Sequence, residues 1–216
     1  MAASGALARL IVERLAPRTE VVAAVRDPAR APEGVAVRYG DYDYRASLLA
    51  AFDGAAEVLL ISSPELDAAK RVTQHRNAVD AAREARVGAT VHTSFLGADT
   101  TATGLTEAHH ATEWALRDSE VPHAVLRNPF CSEAFVPGII DGELTGSAGG
   151  RGLNTASRTD LADAAAEVLL DGEHLGRAFD LTGPLWTHSG VARVRRLHAL
   201  GSGVLTSGPG RFDVPT

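Results

Sequence analysis

Val21–Arg30, VVAAVRDPAR, decides how the chain is read. A run of β-favouring apolar residues stops at Arg26, and Asp27-Pro28 then closes it. A short apolar run bounded by turn residues predicts a buried strand of the parallel-sheet kind. In front of it stand the small residues Ser4-Gly5-Ala6-Leu7-Ala8 and the amphipathic stretch Arg9–Leu15, RLIVERL. Small residues opening a helix that leads to a charge-tipped strand is the layout of a dinucleotide-binding βαβ unit. Ala2, Gly5 and Ala8 hold the three glycine positions of that fingerprint, so only the middle glycine, where backbone must approach a pyrophosphate, is kept.

Outward from this stretch, strand-like and helix-like segments alternate. Strands are predicted over Gly34–Tyr39, Glu57–Ile61, Thr90–Thr93, Pro122–Leu126 and Ala178–Leu181. Helices are predicted over Ala46–Phe52, Leu66–Ala85, Glu107–Arg117 and Arg158–Leu170. The fold class expected is therefore α/β, a Rossmann-like doubly wound parallel sheet. The strand that ordinarily leads into the small-residue loop has no counterpart ahead of Ser4, so the sheet is expected to lack it. Residues 1–187 form the expected nucleotide-binding domain. From His188 the pattern breaks down, and 188–216 is expected to be an irregular tail.

The 216 residues suit a single sizeable core, and no apolar run is long enough for a bilayer. A net charge of −6 argues against a general nucleic-acid binder. One cysteine suits a reducing compartment, so a cytoplasmic setting is expected. The expected partners are accordingly a small molecule, with no nucleic acid and no membrane.

Arg26 sits about 20 residues past the loop, where a side chain reads the cofactor's ribose. A guanidinium fork there matches a 2′-phosphate, which favours NADP(H) over NAD(H). Asp27 is read as a helix cap ahead of Pro28. Asp41 is read either as a turn residue or as an acceptor for the adenine amino group. Ser62, Ser63, Thr93 and Ser94 end successive strands, on the edge where open parallel sheets bind ligands.

Glu107, His109, His110 and Glu113 suggest a metal cluster by composition, but the spacing supplies no third ligand, and a solvated helix face is the reading preferred. His109 and Glu113 are one turn apart and able to face each other. Cys131 reads as a small buried residue rather than a nucleophile. The tyrosines are Tyr39, Tyr42 and Tyr44, and none is followed four residues later by lysine; Lys70 is the only lysine. A tyrosine–lysine proton relay is thereby excluded.

Several stretches together resemble the NmrA-like branch of the atypical short-chain dehydrogenase/reductases, and most of all its type 2 NAD(P)H:quinone oxidoreductases. They are VVAAVRDPAR, GDYDYRASLLAAFDGAAEVLLISS, TQHRNAVDAAREARV, and TSFLGADT continuing to HHATEWALRDSEVPHAVLRNPFCSE. ASRTDLADAAAEVL and FDLTGPLWT extend the likeness to Thr187. The resemblance implies cofactor contacts at Gly5, Ala6 and Leu7, with Ser4 beside them, and at Arg26, Asp41, Ser62 and Ser63. It also implies a nicotinamide end at Asn128, Pro129 and Phe130 through Glu133, with Arg158 and Asp160 nearby. His109 and Glu113 match a His-x-x-x-Glu element of the family, and Trp114 stands where relatives carry lysine. Members begin with an apolar strand and end in a C-terminal lobe, and this sequence departs from them at both ends. A misread frame and a decayed paralogue each account for that.

The activity implied is hydride transfer from NADPH to a quinone-like acceptor, with His109 and Asn128 as the candidate catalytic residues, no metal, and a homodimer as the assembly. A non-catalytic NADP sensor and an inactive truncated paralogue are the alternatives.

Overall fold

The computed structural model describes residues 3–135, 139–140, 143–144 and 151–187. Helix α1 (Ala6–Leu15) leads into β1 (Val22–Val25), which pairs in parallel with β2 (Ala36–Tyr39). There follow α2 (Arg45–Phe52), β3 (Glu57–Ile61), α3 (Ala68–Glu84), β4 (Ala89–Phe95), α4 (Glu107–Asp118) and β5 (His123–Asn128). Beyond them come the short strands β6 (Phe130–Cys131), β7 (Ile139–Ile140), β8 (Glu143–Leu144) and β9 (Leu153–Ala156), then α5 (Arg158–Asp171), β10 (Ala178–Asp180) and β11 (Leu185–Trp186). The expected elements all occur, with ends shifted by a few residues. β6 and β9, a short parallel pair, had no sequence signal, because neither is apolar or long enough to show a period.

The chain divides into two compact units, residues 1–134 with 154–184, and residues 135–153 with 185–216. The tail 188–216 lies outside the described residues, as does the segment 145–150. In the smaller unit β7 and β8 pair antiparallel.

The larger unit is a parallel sheet between two helical layers. Its central ladder runs β10-β5-β4-β3, all parallel, in a register that sets Ile61 beside Thr93 and Thr93 beside Leu126. On one face α1 and α5 bury Ile11, Leu15, Ala162, Ala165 and Ala166 against Val91, Ala124 and Leu126. On the other, α2, α3 and α4 bury Leu48, Phe52, Ala78, Val79, Ala82 and Leu116 against Val58 and Leu60. Apolar faces on both sides explain why the strands read as runs rather than alternations.

The sheet is not continuous. Among the described residues no ladder joins β1 to β3, so β1-β2 stands as a separate pair. Between them lies a cleft of about 580 Å³, lined by Val22–Ala24 and Glu57–Leu59, by Ile11 and Val12 of α1, and by Phe52 of α2. At its far end the Ala3 N–H donates to Ala24 C=O at 3.4 Å.

Candidate active site

Parallel pairing brings the C-terminal ends of β3, β4 and β5 to one edge, and with them Ser62, Ser63, Ser94, Phe95 and Asn128. The open, ligand-binding edge of a parallel sheet is this one.

The dinucleotide end is built by α1 and β1. Gly5 is the N-cap residue of α1 in an extended conformation, without a side-chain cap, and the first turn carries no acidic residue. The first intrahelical bond runs from Arg9 N–H to Gly5 C=O, which leaves the N–H groups of Ala6, Leu7 and Ala8 at a helix start suited to an anion. Ser4 is half-buried, and its carbonyl accepts from Arg9. Arg26 follows directly on β1 and is exposed. Asp27 accepts from Ala29 N–H at 3.1 Å and caps a short 3-10 turn begun by Pro28. That leaves Arg26 as the charge at the strand's end. The uncapped helix start and the exposed guanidinium have the chemistry to fit a phosphorylated dinucleotide.

Asp41 is buried in the turn after β2, where one oxygen accepts from Asp43 N–H at 3.0 Å. Ser47 Oγ accepts its backbone N–H at 2.9 Å. The turn role is visible in the structure. Tyr42 is buried, its hydroxyl donating to Ile61 C=O, and burial holds that phenol above its ordinary value.

At the strand ends the hydroxyls are largely spent within the protein. Thr93 Oγ1 accepts from Ser62 N–H at 3.1 Å. Ser63 is buried, donating to Gln74 and accepting from Glu65 N–H. Ser94 donates to Glu113 at 2.6 Å. Ser62 remains partly exposed. Asn128 is half-buried, with a side-chain oxygen that finds no partner among the described residues. Pro129 is buried, and Phe130 meets Phe95 edge-on at 5.0 Å between centroids. Arg158 opens α5 with its N–H on a Glu133 carboxylate oxygen at 2.9 Å. Cys131 is half-buried, and burial raises its thiol.

The inner face of α4 corrects the sequence reading. His109, Thr112 and Glu113 are buried rather than solvated. His109 and Glu113 also have separate partners. Glu113 is held by Arg127 at both oxygens (3.0 and 2.8 Å), whereas His109 Nε2 lies 3.1 Å from Arg71 Nη2. Burial pushes Glu113 up, but the Arg127 and Ser94 hydrogen bonds outweigh it and hold the carboxyl below its usual range.

Three imidazoles cluster at the base of the site. His75 and His109 centroids are 6.3 Å apart, and His92 lies 5.7 and 6.0 Å from them. Burial is the leading cause that lowers each: His75 to about 2, His92 to about 4, His109 to about 3. All three are neutral at physiological pH, so none of them is an imidazolium acid there. Among the described residues no group of three His, Cys, Asp or Glu is placed to hold a metal ion.

Arg71 escaped the sequence reading. Its signal is slight: an arginine one helical turn ahead of His75, on the helix that follows the strand-end serines.

Residues 2–172 match the NAD(P)H-binding family. The chain belongs to that family. It is 38% identical over 202 residues to quinone oxidoreductase 2 of Escherichia coli (strain K12), covering 88% of this chain and 70% of that protein. Among solved structures, that NADPH-dependent quinone oxidoreductase in complex with NADPH superposes with a TM-score of 0.80 at 36% identity, covering 91% of this chain and 71% of that one. The triphenylmethane reductase of Citrobacter sp. complexed with NADP(H) gives 0.85 at 31% identity, over 91% and 74%. The family and the α/β Rossmann-like class expected from the sequence are thus both found. No helix among the described residues is long and apolar enough to cross a membrane.

Proposed function

We propose that this protein is an NADPH-dependent oxidoreductase that delivers hydride to a quinone-like acceptor. The observation that carries the reading is the 38% identity to quinone oxidoreductase 2 over 88% of the chain, and the described ionisable side chains of the strand-end site agree with it. His109 is neutral and buried, and the Tyr42 hydroxyl is committed to Ile61 C=O. Lys70 is exposed and paired with Glu65 at 2.9 Å. Reduction of a simple ketone builds a strongly basic alkoxide, which needs a proton delivered as the hydride arrives. A quinone spreads that charge over its ring and takes the proton from water.

NADPH, when bound, supplies the hydride. The residues proposed to hold it are Ser4, Gly5, Ala6 and Leu7 at the pyrophosphate, Arg26 at the 2′-phosphate, and Asp41 near the adenine. Ser62, Ser63, Thr93, Asn128, Pro129, Phe130 and Arg158 line the nicotinamide end. The fork at Arg26 supports NADP(H) over NAD(H). The strand-end residues orient the acceptor and the Phe95–Phe130 pair keeps water from one side, which makes positioning most of the protein's contribution. A reducing, cytoplasmic setting and a homodimer go with this reading, as does a single domain over residues 1–187.

The test is NADPH absorbance decay with benzoquinone, menadione and a panel of ketones. Turnover of quinones without ketones is expected. Robust ketone reduction would reject the reading, and tight NADPH binding without quinone turnover would favour a cofactor sensor.

A further inference from the structure

Among the described residues Arg71 is a cation without a carboxylate partner. It is half-buried on α3, and its described partners are neutral: Nε and Nη2 donate to Ser62 Oγ at 3.2 and 2.6 Å, and Nη2 donates to His109 Nε2 at 3.1 Å. Among the described residues no hydrogen bond or ion pair engages Nη1. The other arginine of this region, Arg127, has three carboxylates around it: Glu113, Asp180 and Asp99.

The polarity of the surrounding bonds is fixed. A guanidinium only donates, so His109 Nε2 must present its lone pair and carry its proton on Nδ1. His75 Nε2 accepts from Ser63 N–H at 2.9 Å, so its Nδ1–H donates to Thr112 Oγ1 at 2.7 Å, and Thr112 donates on to Ala108 C=O at 2.6 Å. Ser62 Oγ accepts from Arg71, leaving its hydroxyl hydrogen for His75 Nε2 at 3.2 Å. Of the two acceptors that reach Arg71, Ser62 Oγ is held in turn by His75, whereas His109 Nδ1–H has no hydrogen-bond partner among the described residues. Two bonds to Ser62 and one to His109 direct the guanidinium at the strand-end edge, with an N–H pair unspent. The groups facing it and its anchors are His75 on α3, His92 on β4 and His109 on α4, all neutral.

We infer that Arg71 is a catalytic residue whose Nη1 side binds the acceptor oxygen that becomes anionic during reduction, and that Ser62 and His109 are positioning residues for it. This rests on the quinone reading above. The acceptor gains a hydride from NADPH, is reduced by two electrons to a hydroquinone anion as NADPH is oxidised to NADP⁺, and takes the closing proton from water. Arg71 holds the anionic oxygen and transfers no proton. A fixed donor aimed at developing charge needs no reorganisation during the reaction, which makes it effective in a partly dry site. The ligand class that follows is an acceptor with a charge-accumulating ring oxygen, acidic hydroxyquinones included.

The experiment compares the whole chain with R71M, R71K, H109L and H109Q, after thermal melts have shown which variants fold. R71M is expected to lose roughly a hundred-fold in kcat/KM for menadione, the scale of removing one charge-stabilising donor. Its NADPH Kd stays within about two-fold. R71K recovers part of the rate. H109L loses about ten-fold, while H109Q, whose amide oxygen can still accept from Arg71, recovers it. A loss of NADPH affinity in R71M would assign Arg71 to the cofactor and overturn the inference, as would unchanged quinone turnover. A second measurement is calorimetric binding of 2-hydroxy-1,4-naphthoquinone in the presence of NADP⁺. Wild type binding it, R71M failing to do so and R71K binding it more weakly supports the anion contact even where no quinone turns over, an outcome that rejects the quinone reading alone. Equal binding by all of them rejects the contact.

Discussion

Arg127 grips Glu113 at both carboxylate oxygens, Nε to Oε1 at 3.0 Å and Nη2 to Oε2 at 2.8 Å, with both side chains at least nine-tenths buried. The pair joins the last strand-end residue before Asn128 to α4, and Ser94 Oγ closes it from β4. This bond fixes how α4, and so His109, sits over the site. The bidentate fork explains why arginine rather than lysine stands at 127.

Breaking that pair from one side should be costly. Glu113→Gln is expected to lose about 3 kcal/mol of unfolding free energy, because Arg127 would remain buried with only the more exposed Asp99 and Asp180 beside it. Replacing both residues by leucine should cost less than the single change. Urea titration of the three variants measures it. A Glu113→Gln protein as stable as the parent would show that the pair contributes nothing.

Acid lability should begin at histidine pH rather than carboxylate pH. His75, His92 and His109 titrate near 2, 4 and 3 when folded, against about 6.5 in the unfolded chain. Below that value the unfolded state binds three protons that the folded state refuses. The stability from these groups is whole above about pH 6.5 and falls as pH falls through the folded values. The limiting slope is about 4 kcal/mol per pH unit between about pH 6 and 4. Glu113, lowered in the fold, adds its own loss only below the ordinary carboxylate range. Equal urea midpoints at pH 7 and pH 5 would mean that the imidazoles protonate freely in the native protein.

What could be read in advance follows from where each signal is local. The strands over Val22–Val25 and Glu57–Ile61 announced themselves because each is a short apolar run with buried side chains, the one in the β1-β2 pair and the other in the central ladder. Asp27 read as a cap because capping is decided within three residues. The partners of His109 and Glu113 did not read, since both lie on other elements: Arg71 is 38 positions away and Arg127 is 14. A spacing of four on one helix shows that two side chains can meet, not that they do. β6 and β9 were hidden for a similar reason, because their pairing of Phe130 with Thr155 is set by the sheet edge rather than by their composition.

Cofactor choice should turn on Arg26. The side chain is exposed just past β1, and Asp27 is occupied with its cap, so no carboxylate takes the ribose-reading place. A charge-assisted contact to phosphate contributes on the order of 1.5–3 kcal/mol. Arg26→Ala is expected to weaken NADPH binding roughly ten- to a hundred-fold and to leave NADH nearly unchanged. Fluorescence titration with the two cofactors decides it, and equal losses for both would remove Arg26 from the 2′-phosphate.

The cleft between β1 and β3 makes the last prediction. Each wall is a strand that runs parallel to its own neighbour, β1 to β2 and β3 to β4, the lining from α1 and α2 is apolar, and Ala3 N–H already reaches Ala24 C=O. A segment running ahead of Ala3 along this cleft would be parallel to both walls and would pass into α1, giving the right-handed strand–helix–strand crossover. It would also place apolar side chains over Ile11 and Phe52, which line the cleft. Each buried backbone group given a partner is worth about 1–3 kcal/mol. Fusing five or six β-branched residues ahead of Met1 should therefore raise the melting temperature by several degrees and tighten NADPH binding. The second effect follows because the added strand would steady Ser4–Leu7 where the pyrophosphate is proposed to sit. A matched extension with alternate residues replaced by aspartate should do neither. If both extensions behave like the unextended chain, and that chain is cooperatively folded and binds NADPH tightly, the cleft is not a strand site.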